Sequence, residues 1–405
     1  MTARVPLRPR AAATDARSKS LARARRRDHR VYLRGHPVLF ALLAASRGRP
    51  VRRIGRTLLI HDADAYREVL TRLPLDRTAA GTTGGAARSA LGAAGERDGG
   101  VLFDQEGGVH RAGRRRVARD LGASGVERLR TVWQPLLVRR LEPLAAGGEV
   151  DLVALARELA GSVVCTLLGS GASWSAVAEA AADAAAASVR SELPGPGRGR
   201  ARARAAEAAA RLRRLLGADD DALSAMVAVA AVNTTVAALP RAAAWCADAR
   251  LWDQAADAEL RPALVDELLR VTAPSPLLPR VAAADGVAGG CPVRSGDRLL
   301  LIARHAVGAH RDAPDALRPA APAVAHLVFG AGSHSCPGAR LARVQLADAL
   351  EALAPYRPVV VRARVDRGAA LPGWRTLTVR ASPAALWQAA AGGSSAGEQR
   401  LEQCR

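Results

Sequence analysis

Residues 329–338 read FGAGSHSCPG, a glycine-rich loop that contains a single cysteine, Cys336. A helical pattern over 339–350 follows at once, and Pro337 suits the first turn of a helix, where a missing N–H costs least. Backbone N–H groups and the positive end of a helix both favour a thiolate over a thiol. Glycines let the backbone pass close to a large flat group. The loop therefore predicts a metal site with one cysteine ligand.

A cysteine at a loop–helix junction more often packs as a small hydrophobic residue, so the spacing around it has to decide. The spacing resembles the haem-binding loop of the cytochrome P450 family. In that loop a phenylalanine is followed by two residues and a glycine, then by one residue and a basic residue, one residue and the cysteine, and one residue and a glycine. Those slots are filled by Phe329, Gly332, His334, Cys336 and Gly338. The resemblance implies that Cys336 is the axial thiolate ligand of haem b iron, which favours O–O cleavage. It also implies that His334 offsets a haem propionate charge.

Composition is compatible with that fold. The chain has 405 residues and is 49% hydrophobic with only 3% aromatic residues. Alanine, leucine and arginine dominate it, and all three favour helix. We therefore expect a mainly α protein with a small β region, which the resemblance makes a single-domain cytochrome P450 fold enclosing haem b.

Cysteine usage and hydropathy indicate the cellular compartment in which the protein is expected. Five scattered cysteines without a CxxC pair indicate neither a disulfide framework nor a zinc site and fit a reducing cytosol. The arginine-rich N-terminus has no apolar core of a secretory signal. No apolar run is expected to reach the about 20 residues that span a bilayer. The family's animal and plant members carry an N-terminal membrane anchor, and we do not expect one in this chain. The prediction is a cytoplasmic, monomeric protein of the bacterial type, without a membrane contact.

The formal net charge of +21 raises nucleic-acid binding as an alternative. The arginines are spread through helical segments, and the chain has few aromatic residues on which bases could stack. Nucleic acid is therefore not expected as a partner. A basic surface fits an acidic protein better, such as a ferredoxin or an acidic carrier domain.

Domain boundaries follow from the composition along the chain. Residues 1–28 are polar and basic and are predicted to be disordered, 29–389 to form the catalytic domain, and 390–405 to be a disordered tail. A glycine- and alanine-rich stretch, 78–100, is predicted to be a loop with little structure of its own, which in the family contacts substrate. The turn PGPG at 194–197 precedes a basic helix that ends near Leu216 and resembles the lid of the substrate channel. A solvated basic face is the alternative for that helix.

Three further segments would hold the haem propionates and the cysteine loop. His110 and Arg114 share one face of a helix, and in the family a His-xxx-Arg pair binds a propionate. A basic solvated face would show the same spacing. Arg280, in a predicted strand, resembles the arginine that reaches a propionate. Glu267 and Arg270 resemble the family's E-x-x-R motif, whose buried ion triad is completed by an arginine before the haem loop; Arg318 is the best match.

An apolar helix over 222–239, preceded by three aspartates at 219–221 that favour its N-terminus, is predicted to be buried. Its polar interruption is Asn233-Thr234. In the family the corresponding helix crosses the haem, and its threonine helps to deliver protons to dioxygen. Asn233 stands where an acid is usual and does not exchange a proton near neutral pH. The two side chains are therefore catalytic candidates, with local hydrogen bonding as the alternative.

The resemblance implies a haem-thiolate monooxygenase that uses O2 to hydroxylate or epoxidise a small or carrier-bound specialised metabolite. Electrons would come from NAD(P)H through a ferredoxin reductase and ferredoxin, since the sequence shows no flavin domain. Oxidative ring closure or carbon–carbon coupling without oxygen insertion is the alternative within the same fold. A non-enzymatic haem protein is a third hypothesis.

Overall fold

The computed structural model describes residues 10–91, 101–192, 197–217 and 222–385. Within them most residues are helical, which confirms the predicted fold class. The longer helices are Arg10–Gly35, Pro37–Ser46, Ala63–Thr71, Thr83–Leu91, Gly107–Leu121, Ala123–Ala145, Leu152–Leu168, Trp174–Glu192, Arg198–Leu216, Ala222–Ala249, Arg261–Thr272 and Ala339–Leu353. Short helices lie at Trp252–Ala256, Ala303–Ala306 and Pro322–Ala325, and 3-10 turns at His326–Phe329, Gly332–His334 and Ala354–Tyr356.

The described strands form three small sheets. They are β1 Val51–Ile54, β2 Thr57–Ile60, β3 Glu149–Asp151, β4 Leu278–Val281, β5 Gly286–Ala288, β6 Cys291–Val293, β7 Arg298–Leu301, β8 Val359–Asp366 and β9 Gly373–Arg380. The largest sheet has the order β1-β2-β7-β4, with β2 and β7 parallel and the outer pairs antiparallel. The other sheets are β3-β9-β8 and the β5-β6 hairpin. Strand β4, which carries Arg280, is an edge strand of the four-stranded sheet.

The helix Ala222–Ala249, called the central helix below, runs through the main core. It packs against Arg10–Gly35, Leu152–Leu168, Trp174–Glu192 and Arg261–Thr272. Among the described helices it alone is long and apolar enough to cross a membrane, which corrects the expectation that no apolar run has that length. That signal is weak here because apolar helices buried in a core have the same composition. Its apolar surface is explained by packing.

The first helix corrects the prediction that residues 1–28 are disordered. Residues 10–28 are helical, and Asp28 is 5% exposed. Its carboxylate accepts hydrogen bonds from Arg241 Nε at 2.8 Å and Arg304 Nη1 at 3.3 Å. A buried carboxylate with two guanidinium partners ties the helix to the core, an arrangement that local composition does not reveal. Residues 1–9 and the predicted tail at 390–405 lie outside the described residues.

A second correction concerns the predicted loop at 78–100, where residues 83–91 form a helix. The Thr82 hydroxyl accepts the N–H of Gly85 at 2.9 Å and so caps the helix start. A Cβ on Gly84 would lie 2.3 Å from the Arg77 carbonyl oxygen, so glycine permits a backbone approach that other residues would block. Residues 92–100, the PGP of the lid turn and the aspartates at 219–221 lie outside the described residues.

Candidate functional site

The cysteine loop is closed by its own backbone. The N–H of Cys336 donates to the Phe329 carbonyl at 2.7 Å, and the N–H of Ser335 donates to Gly332 at 3.1 Å. Gly330 and Gly332 have φ values of 76° and 71°, in the left-handed region that glycine adopts without strain. The helix Ala339–Leu353 then begins, as predicted.

The Cys336 side chain is exposed, although many protein atoms surround its sulfur. Burial raises the pKa of its thiol, while the Gly338 amide and the charges of Arg114 and Arg343 act in the opposite sense. A sulfur that faces a cleft rather than the outer surface is both accessible to solvent and partly desolvated by the surrounding protein. The loop amides alone therefore do not make the thiolate favourable, in contrast to the sequence-based expectation, and a bound metal would have to do so.

The central helix is open where the fold would be expected to bury it fully. Apart from Val232, residues 229–236 are only partly buried, whereas residues 237–246 are buried throughout. A core helix has this profile when its middle faces a cleft. Ala231, Thr234 and Thr235 lie in that open segment.

Four predicted propionate ligands converge beside the loop. The imidazoles of His110 and His334 stack with centroids 3.9 Å apart and an interplanar angle of 19°. An Arg114 guanidinium N–H donates to the Ser335 carbonyl. Arg280 donates to the Thr83 hydroxyl at 3.3 Å. The structure thus brings together residues from the helix Gly107–Leu121, strand β4 and the cysteine loop.

The ion pairs of the described residues include none from this cationic cluster, which consists of His110, Arg114, Arg280 and His334. The nearby acid Glu106 is paired with Arg77, and its charge acts to raise the pKa of His110. Desolvation, followed by the charge of Arg77, lowers the pKa of Arg280 to about 10. The same causes, together with His110, Arg280 and Arg114, lower the pKa of His334 to about 3. Desolvation and Arg114 also lower the pKa of His110. An anion placed here would reverse each of these shifts.

Two buried nitrogens in the cluster have no hydrogen-bond partner among the described residues, His110 Nε2 and Arg280 Nε. Unsatisfied buried donors are rare and indicate a missing acceptor. An exposed Cys336, a central helix whose middle is only partly buried, and a cationic cluster with unsatisfied nitrogens together fit haem b, whose two carboxylates would be the acceptors.

Arg77 is a residue that the sequence analysis missed. Its charge contributes to the lowered pKa of His110, Arg280 and His334. Its Nε donates to Glu106 Oε1 at 3.0 Å. Arg77 lies in a turn without a motif, so only the three-dimensional structure reveals it.

The side chains of Asn233 and Thr234 are engaged by backbone carbonyls. Asn233 Nδ2 donates to Val229 at 2.8 Å and to Ala181, on the neighbouring helix Trp174–Glu192, at 3.2 Å. Thr234 Oγ1 donates to Ala230 at 2.7 Å. Local hydrogen bonding, the alternative raised from the sequence, is therefore present, and Asn233 also ties two helices together.

Glu267 and Arg270 form a buried bidentate pair with contacts of 2.7 and 2.6 Å, and each side chain is 2% exposed. The structure does not place Arg318 in a triad with them. Its side chain is 83% exposed and lies 3.5 Å from Asp315. Glu267 instead accepts the backbone N–H groups of Asp315 at 3.4 Å and Ala320 at 3.0 Å. Backbone amides thus replace the third charge.

Comparisons with known proteins agree with this geometry. The family model for cytochrome P450 matches residues 248–353. The chain is 35% identical over 99 residues to the steroid C26-monooxygenase of Mycolicibacterium smegmatis, covering 24% of each protein. It is 38% identical over 106 residues to the mycocyclosin synthase of Mycobacterium tuberculosis, covering 25% of this chain and 27% of that protein. These matches span about a quarter of each relative's length.

The likeness in fold extends over nearly the whole chain. The crystal structure of P450BioI in complex with a hexadec-9Z-enoic acid-ligated acyl carrier protein superposes with a TM-score of 0.67. The superposition covers 87% of this chain and 99% of that chain at 17% sequence identity. This likeness shows the fold and nothing about the substrate.

Proposed function

We propose that the chain is a haem-thiolate monooxygenase of the cytochrome P450 family that acts on a small or carrier-bound specialised metabolite. The observation that carries the proposal is that an exposed Cys336, framed by backbone hydrogen bonds, lies beside a cationic cluster that forms no ion pair within the described part of the chain. One part supplies an iron ligand and the other binds the two carboxylates of the same cofactor.

Haem b bound at Cys336 supplies the activation of O2 that oxidises the substrate. The chain supplies position and electrostatics. The cationic cluster and Arg77 neutralise the propionates, and Phe329 lies under the Arg343 guanidinium at 4.6 Å beside the loop. Thr234 keeps acceptor capacity on its hydroxyl and lies in the open segment of the central helix, where it would order water.

A basic surface on the helix Gly107–Leu121 supports the proposed electron donor. Arg111, Arg115 and Arg119 are exposed on the helix whose other face carries His110 and Arg114. An acidic ferredoxin bound there would lie close to the haem, with NAD(P)H supplying electrons through a reductase.

A second basic surface supports a carrier-bound substrate. Arg200, Arg202 and Arg204 are exposed on the helix Arg198–Leu216, directly after the lid turn. The solved neighbour P450BioI is in complex with an acyl carrier protein, which supports a partner of this kind. An acidic carrier would complement this charge.

The proposal is tested by the absorption spectrum of the purified protein, reduced and exposed to carbon monoxide. We expect a strongly red-shifted Soret band, because a thiolate pushes electron density onto iron. A histidine-type band would contradict thiolate ligation, and the lack of any haem band after reconstitution would contradict the cofactor.

Oxidative ring closure or carbon–carbon coupling is a second candidate, favoured by Asn233. Both Asn233 amide donor contacts are to carbonyls, so this side chain offers no acid to a proton path. A reaction without oxygen insertion depends less on such an acid. Product mass separates the two functions, because hydroxylation adds an oxygen atom and coupling removes hydrogens. A haem protein without turnover would give neither product.

Exchanging Asn233 for aspartate should change the fraction of electrons that appear in product. The carboxylate exchanges protons, but it cannot donate to Ala181 and Val229, so the variant also loses about 1–3 kcal/mol of stability. The measurement is NAD(P)H consumed per product formed. Asn233→Ala is the control, since it removes the same two hydrogen bonds without adding an acid. Equal coupling in the two variants would place Asn233 outside the proton path.

A further inference from the structure

A cavity of about 330 Å3 lies away from the cysteine loop, and three histidines are among the residues that line it. We call it the histidine cavity; its imidazoles belong to His61, His305 and His310. His61 follows strand β2, and the other two follow β7. Nothing in the proposed oxidation uses these side chains.

The three imidazoles form one continuous cluster. His61 Nδ1 and His305 Nδ1 are 2.8 Å apart, and His61 Nε2 is 3.1 Å from the Ser46 hydroxyl. The His305 and His310 rings meet edge to face with centroids 5.0 Å apart. His61 and His305 are 6% and 7% exposed. His310 Nδ1 is buried without a hydrogen-bond partner in the described part of the chain.

Cations dominate the rim of the histidine cavity. Arg47, Arg49 and Arg311 line it and are exposed, and none of them forms an ion pair with another described residue. The lining carboxylates are Asp62 and Asp312. Asp62 is already engaged, since it accepts the N–H groups of Asp64 and Ala65 at the start of a helix. The three guanidiniums outnumber these two carboxylates, so the rim of the histidine cavity carries a net positive charge.

The electrostatics of the histidines show that this charge reaches the interior. Desolvation is the main cause of their lowered pKa values, about 4 for His61, about 3 for His305 and about 4 for His310. Arg47 contributes to all three shifts. One exposed guanidinium thus acts on the whole cluster, and the cavity is positive and lined by neutral imidazoles near pH 7.

Two ligand classes fit neutral imidazoles, a transition metal and an anion. A metal is disfavoured, because the surrounding guanidiniums repel a cation and two ring nitrogens already bond to each other. No group of His, Cys, Asp or Glu in the described ranges has the arrangement of a metal site. The charge of the rim therefore selects an anion.

We propose that the histidine cavity binds a phosphate-bearing ligand. A phosphate monoester carries about −1.5 to −2 charges near pH 7 and three acceptor oxygens, which match three unpaired guanidiniums better than one carboxylate does. One guanidinium can bind two phosphate oxygens at the same time through two parallel N–H groups.

The test is a titration of the haem-loaded, full-length protein with inorganic phosphate at constant ionic strength, followed by thermal unfolding. Haem occupies the cationic cluster in this protein, so that cluster does not compete for phosphate. We expect a saturable rise in Tm, and an apparent Kd that increases at least about tenfold in the double variant Arg47→Gln/Arg311→Gln. Arg362→Gln/Arg364→Gln is the matched control. It removes the same charge from exposed positions on β8, outside the lining.

Imidazole NMR shifts provide a second readout that does not depend on stability. Phosphate should move the ring signals of His61, His305 and His310 in the wild-type protein and in the control, and not in the Arg47/Arg311 variant. Acetate at the same ionic strength should have no saturable effect. A linear Tm change, an equal change in both double variants, or equal saturation by acetate would each overturn the proposal.

Discussion

Replacing Cys336 by alanine should abolish both substrate oxidation and the thiolate band of the reduced carbon monoxide complex. The sulfur is the ligand that the proposed mechanism requires, and the loop offers no second anionic side chain among residues 329–338. The fold should survive, because the Cys336 side chain is exposed and the loop is closed by backbone hydrogen bonds that alanine retains. Apo-protein stability should change by less than about 1 kcal/mol.

The matched control is Cys291→Ser, a partly exposed cysteine in β6 with no place in the site. Its spectrum and turnover should equal those of the wild-type protein. Retained oxidation in Cys336→Ala, with product formed at the wild-type rate, would refute the assignment of the ligand. Loss of activity in both variants would show that the assay reports general thiol damage.

The cysteine loop could be predicted from the sequence because its chemistry is local. The glycines, the cysteine and the following proline that favours a helix start lie next to one another in the sequence. In the structure Gly330 and Gly332 have positive φ values, and the helix begins at Ala339. The central helix was likewise readable, since an apolar helix has to be buried. Local patterns of this kind persist when the tertiary context is added.

Charged residues far from the loop were harder to interpret, because their partners are distant in sequence. Asp28 lies in an arginine-rich segment whose composition indicates disorder, yet it pairs with Arg241 and Arg304 more than 200 residues away. Arg77 contributes to the site from a turn without a motif. Arg318 has the right spacing for a triad but its side chain is 83% exposed. Spacing identifies a residue type, whereas burial and a partner decide its role.

Glu267→Gln should destabilise the protein by about 3–5 kcal/mol, because it leaves the Arg270 guanidinium buried without its counter-charge. Arg270 also donates to the Val307 carbonyl at 3.1 Å, and Glu267 accepts the N–H of Ala320 at 3.0 Å. The pair thus fixes the chain on both sides of residues 307–320, which lead into the cysteine loop. A loss of this size is a large share of the 5–15 kcal/mol of a typical domain, so haem retention should fall as well. Chemical unfolding measures the first effect and haem content the second.

Two controls separate the pair from the triad that the sequence suggested. Glu259→Gln removes an exposed carboxylate just before the same helix and should change stability by less than about 0.5 kcal/mol. Arg318→Gln should cost at most about 1 kcal/mol, because its contact with Asp315 is solvated. If Arg318→Gln were as destabilising as Glu267→Gln, Arg318 would have to complete the buried triad. A small effect at Arg318 beside a large one at Glu267 means that backbone amides of the segment before the loop have taken over the role of the third charge.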